Sequence, residues 1–124
     1  MIERIEVVRI RPQISPDEDV ADLIEDPWRT FDCPADQAGC RVEFEDPDFV
    51  SGARESIYYV RAIQQETRMI NANNVRCEYD ETGQCIAVNP CYGDYRTPSD
   101  EDCLAPANQR AWSSPIYVGY RAPQ

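Results

Sequence analysis

Apolar and polar positions along this chain alternate over short stretches, and almost nowhere do they repeat at helical spacing. In residues 2–11, Ile5 and Val7 fall on one phase and Val8 and Ile10 on the other. That change of phase predicts a β-strand carrying a bulge between Val7 and Val8, ended by Pro12. Residues 12–40 hold Pro12, Pro16, Pro27 and Pro34 among many acids and show no period. They predict a long irregular excursion with one helical turn at DVADLIED, tied down by Trp28 and Phe31. Arg41–Glu45 alternates Val42 and Phe44 with charges, the pattern of a half-buried strand, and DPDFVSG then turns the chain. Ser56–Ile63 is the strongest strand, apolar on both faces and therefore expected in a central position.

Further on, Asn71, Asn73 and Asn74 mark a turn, and Val75–Tyr79 and Gln84–Val88 flank DETG as a hairpin. Residues 89–108 read as loop. Trp112–Tyr120 reads as a last strand broken at Pro115, which implies an edge or a bulge. Short strands between turn signals predict an all-β fold, a small Ig-like β-sandwich with long irregular loops, in one domain over residues 1–124.

Composition narrows the function more by exclusion than by assignment. The 124 residues carry 23 acids against 12 basic residues, a formal charge of −11. Such a chain repels phosphate, so neither nucleic acid nor an anionic membrane is an expected partner. No apolar run approaches the roughly 20 residues that span a bilayer. Histidine is absent, which removes Ser/His/Asp and Cys/His triads and every histidine-containing metal site. All the basic residues are arginine, so lysine Schiff bases and phosphate-loop lysines are excluded as well.

Cys33, Cys40, Cys77, Cys85, Cys91 and Cys103 are an even set without a C-x-x-C pair. Their spacing fits disulfides better than zinc or a thioredoxin-type redox pair. Six cysteines allow fifteen pairings, and sequence does not choose among them. Local closure favours Cys33 with Cys40, Cys77 with Cys85 and Cys91 with Cys103, each bracketing a turn-rich segment. Disulfides imply export to the periplasm or the extracellular space, yet MIERIEVVRI is not a signal peptide, because Glu3, Arg4 and Glu6 interrupt it. The expectation is that the segment is cut from a longer exported chain.

Three acidic clusters invite a calcium reading: Asp17, Glu18, Asp19 and Asp22; Glu43, Glu45, Asp46 and Asp48; and Asp100, Glu101 and Asp102. None has EF-hand spacing, and solvated surface acid is the commoner meaning, so no metal or other cofactor is expected. With 23 acids, some carboxylate pair at glycosidase separation is nearly inevitable and carries no information. Tyr58, Tyr59, Tyr92, Tyr95, Trp28 and Trp112 could form a binding platform, although aromatics in a β domain more often pack the core. Ser113 and Ser114 have no His or Lys base, so no catalytic residue is assigned. Arg61, between apolar neighbours, is expected to pair with a local acid. The candidate interface residues are Trp28, Arg61, Trp112 and Tyr117.

The strings DPDF (46–49), YYVRAI (58–63), CLAP (103–106) and RAWSSPIYV (110–118), taken in order, resemble the C-terminal region of an uncharacterised family of exported bacterial proteins. That family carries a diverged metal-hydrolase domain of the polymerase-and-histidinol-phosphatase type. The resemblance implies a non-catalytic accessory β domain that packs on the hydrolase barrel, shapes its rim or supports an oligomer. The metal ligands would lie in the barrel, and none maps onto this histidine-free chain. After YYVRAI the family pattern has a carboxylate followed by prolines, whereas here Gln64, Gln65, Glu66 and Thr67 follow. The alternative is a free-standing exported carbohydrate- or protein-binding module; a third reading is an enzyme acting through carboxylates alone.

Overall fold

A computed structural model describes residues 1–36 and 39–122. The fold is all-β, built from antiparallel ladders and three disulfides, and the chain groups into two compact units. The first unit comprises residues 1–65 and 110–124, the second residues 66–109.

The first unit is one five-stranded sheet. Strand β1 (Ile2–Ile10) is flanked by β2 (Ile24–Asp32) and β3 (Ser56–Gln64). A single helical turn, α1 (Phe49–Gly52), precedes β3. Arg4 lies opposite Asp32 on one side and Ile63 on the other, and Arg9 lies opposite both Glu25 and Tyr58. Val7 and Val8 are consecutive and both 0% exposed, so this part of β1 is buried on both faces. That explains the two apolar phases in the sequence. The register irregularity does fall at this point, but the extra residues lie on β2, where Asp26, Pro27 and Trp28 stand opposite Val8 alone. Pro27 is tolerated because β2 is an edge strand and the bulge demands no ladder hydrogen bond from it.

The 12–40 excursion therefore contains a strand that its proline and acids conceal. Its expected helical turn is a short 3-10 turn at Val20–Leu23, capped by the Asp19 carboxylate accepting from the Ala21 amide. The strand expected at Arg41–Glu45 does not form; the segment joins no ladder, and its apolar member Phe44 packs against other aromatic rings instead.

In the second unit, β4 (Thr67–Ile70) is followed by a turn, α2 (Ala72–Arg76). There the left-handed φ values of Asn71, Asn73 and Asn74 fit asparagine, and Val75 and Arg76 share them. Strands β5 (Cys77–Tyr79) and β6 (Cys85–Val88) form the expected hairpin. Its turn is organised by the Asp80 carboxylate, which accepts from the Thr82 and Gln84 amides, and by Gly83 at φ 81°. The region read as loop from 89 to 108 holds one more strand, β7 (Leu104–Ala107), paired with β4. The Asn71 side chain exchanges two hydrogen bonds with the backbone of Cys91, at 2.7 and 2.8 Å.

The chain's last strand is two strands, both in the first unit. β8 (Arg110–Trp112) and β9 (Ile116–Val118) both pair with β3 and are separated by Ser113-Ser114-Pro115. Ser113 keeps the gap closed: its amide donates to the Val60 carbonyl, and its hydroxyl accepts from the Val60 amide at 2.9 Å.

Candidate functional site

The most buried charge in the molecule is Arg9, 4% exposed. Strand register alone places it beside Glu25 and Tyr58, since both are its direct cross-strand partners. Its Nε and Nη2 donate to the two Glu25 carboxylate oxygens at 2.6 and 2.9 Å. Its Nη1 donates to both oxygens of Asp46 at 2.8 Å, and the Tyr58 hydroxyl donates to Asp46 at 2.5 Å. The guanidinium carbon also sits 4.5 Å from the centre of the Trp28 ring, which lies 4.4 Å from the Arg29 guanidinium as well.

Burial alone would raise the Asp46 carboxyl, but the bonds from Tyr58 and Arg9 outweigh it and hold it below the usual aspartate range. Burial, and then the bond to Asp46, pushes the Tyr58 phenol up. At neutral pH the cluster is a paired cation and carboxylates with a neutral phenol. A carboxylate so stabilised carries no proton to donate and is a weak base, so this arrangement is not suited to acid–base chemistry. Its chemical effect is to fix the floor on which Phe44 and Tyr58 pack.

A second network lies along β1 and β3. Arg61, as the sequence implied, pairs with local acids: Glu6 at 2.8 Å and both oxygens of Asp26. Arg4 bonds the other oxygen of Glu6 at 2.8 Å. Burial would raise the Glu6 carboxyl, but Arg4 and Arg61 bring it below its ordinary value.

The acidic clusters are drawn into similar pairs. Glu18 bonds Arg54 at 2.6 Å and caps the amides of Ile14 and Ser15, which takes its pKa down to about 2. Glu101 pairs with Arg76, and Asp102 with Arg68. Among the described residues, no three Asp, Glu or Cys side chains are grouped so as to hold a metal ion. All six cysteines are in disulfides, joined as Cys33–Cys40, Cys77–Cys85 and Cys91–Cys103.

Of the four candidate interface residues, three share one sheet face. Trp112 is the direct partner of Arg61, and Tyr117 the partner of Ile57 two pairs away on the same side of β3. Trp112 is 62% exposed and Tyr117 74%. Trp28 does not join them; it is half-buried and packs on Phe44 and Tyr58, 5.8 and 5.9 Å between centroids. Tyr58, with Trp28 packed on it, lies on the sheet face opposite Trp112, so these aromatics of the first unit do not make one platform; Tyr92 and Tyr95 belong to the second unit.

On the Tyr58 side of the sheet lies an open, largely apolar groove of about 420 Å³. Phe44, Phe49, Tyr58, Ile116 and Val118 line it, with Glu45 and Asp46. Ile116 and Val118 reach it because they pair with Tyr58 and Ser56, placing both on that face of β9. No protein-family model, curated protein or solved structure matches the chain. Sequence reasoning missed Phe44, Phe49 and Ile116 as site residues. Their only signal was a large apolar residue beside a turn or a proline, a weak one, because the groove joins segments far apart in the chain.

Proposed function

We propose that this chain is a non-catalytic accessory β domain of an exported protein, acting in the periplasm or the extracellular space by presenting a packing surface. In this reading it packs on a metal-dependent hydrolase domain of the polymerase-and-histidinol-phosphatase type and shapes that domain's active-site rim. One observation supports it above the others. The buried ionisable groups neutralise one another, while Trp112 and Tyr117 stand exposed on one face of the edge strands β8 and β9. Large exposed apolar side chains gathered at one place are the usual sign of a surface that is covered in the working protein. Three disulfides are in keeping with an oxidising, non-cytoplasmic compartment.

The test is purification of the natural protein that contains these residues, with and without Trp112→Ala and Tyr117→Ala. The expected result is an attached or co-purifying hydrolase domain whose resistance to proteolysis falls in the variants, while the β domain keeps its circular dichroism. A natural protein without such a domain overturns the reading. The groove favours a second reading, a free-standing binding module, which predicts a saturable ligand instead of a domain contact.

A further inference from the structure

The groove and the edge of β9 adjoin, and the two together describe a particular kind of guest. β9 pairs with β3 and with no other strand among the described residues, so its outer edge carries main-chain donors and acceptors without a ladder. Ile116 and Val118 point to the groove side and Tyr117 to the other, with Ile116 58% and Tyr117 74% exposed. A strand laid against β9 would therefore meet apolar surface on both of its faces. The unpaired charge in the groove lining is negative. Glu45 lines the groove, is exposed and forms no ion pair with any described residue, in a chain whose net charge is −11. Pro115 and Gly119 bracket the strand, limiting the available ladder to a few bonds. Main-chain pairing alone is then a weak attachment, and the groove must supply the selectivity.

We propose that β9 and its groove bind an extended segment of a partner polypeptide, which adds as a strand along Ile116–Val118. It seats a large apolar side chain among Phe44, Phe49 and Tyr58 and carries basic residues on either side of it. The proposal rests on the reading that this chain works through its surface, and it names the chemistry of what that surface takes. A second copy of this chain is a poor guest, because two chains of charge −11 repel each other at low ionic strength. The floor of the groove is preorganised, since Arg9 holds Asp46 and Asp46 holds the Tyr58 hydroxyl. Binding therefore requires little ordering on this side.

The probe is a short, end-blocked peptide alternating lysine with valine and phenylalanine, with a control carrying glutamate for lysine. Both are titrated into the intact protein and followed by amide chemical shifts and hydrogen exchange. The lysine peptide should shift the amides of residues 116–118 and slow exchange at those turned away from β3, and the glutamate peptide should not. Ile116→Asp should weaken binding about tenfold by placing a charge against the apolar guest. Glu45→Arg, at an exposed position that leaves the fold intact, should weaken the lysine peptide several-fold and admit the glutamate peptide. Shifts confined to other residues, equal binding of the two peptides, or self-association of the protein in place of peptide binding would each overturn the proposal. If the natural hydrolase domain binds while the peptide does not, this proposal alone fails. If the peptide binds and no hydrolase domain exists, the accessory-domain reading fails and this one stands.

Discussion

Arg9 and Asp46 form the pair on which the interior of the first unit depends. Both side chains are more than nine-tenths buried. Removing Arg9 leaves Asp46 as an uncompensated charge in a poorly solvated place, a far larger effect than the net worth of the pair, whereas removing Asp46 leaves Arg9 still paired with Glu25. Arg9→Ala is therefore expected to cost about 3–5 kcal/mol in urea denaturation. Tyr58→Phe removes one hydrogen bond to a charged acceptor and should cost about 1.5–3 kcal/mol. The sequence shows Arg9 only as a polar position in an alternating strand. Its partners lie 16 and 37 residues away, and nothing in local pattern joins them. Arg61 was more legible, since a charge among apolar neighbours on a strong strand has to find an acid. Glu6, directly across the ladder, is such an acid.

Elements were readable where one period ran unopposed. β1, β3 and the β5–β6 hairpin stand close to where alternation and turn residues place them. β2 was not legible, because IEDPWRTFD holds a proline and three acids and gains its strand state from β1 alone. β4 and β7 are four residues each, too short to show a period. The reverse error at residues 41–45 has the same origin: alternation reports which side chains can find apolar partners, and rings from β2 and β3 pack against Phe44 without any ladder. The break between β8 and β9 is bridged by the Ser113 hydroxyl, a bond that no pattern announces. Ser113→Ala leaves the Val60 amide without that acceptor and should cost about 1 kcal/mol. The same variant should speed hydrogen exchange at Val60 while leaving the hairpin of the second unit unchanged.

Taken whole, the molecule divides its stability between two sources. The first unit holds Val7, Val8, Leu23, Tyr58 and Ile63 as buried apolar side chains, whereas Ala105 is the one among the described residues of the second. Two of the three disulfides lie in that second unit. Short cross-links of this kind contribute about 2–4 kcal/mol each in the chain-entropy account. Reduction should therefore abolish exchange protection across residues 66–109 while the five-stranded sheet persists, as hydrogen exchange with and without reductant would show.

Acid acts on the whole chain. Glu6, Glu18, Asp46, Asp80, Asp94 and Asp102 are all held below their ordinary values, so the folded state binds fewer protons than the unfolded one in this range. Their contribution is complete above the ordinary carboxylate range and declines as pH falls through it, continuing down toward about 2, where Glu18 takes up its proton. A denaturation midpoint flat near neutrality and falling steadily on the acid side is expected, and Glu18→Gln should make that fall shallower.

The disulfides join the cysteines in strict sequence order, at separations of 7, 8 and 12 residues. A chain delivered N-terminus first into an oxidising space would present each thiol shortly after its partner, before any later cysteine arrives to compete. The right bridges can form as the polypeptide emerges, with no mispaired bond left to reshuffle. Delivery of the whole reduced chain at once forfeits that advantage, because all fifteen pairings then compete. Refolding from denaturant should accordingly gain much from a disulfide isomerase, while secretion of the same chain should gain little.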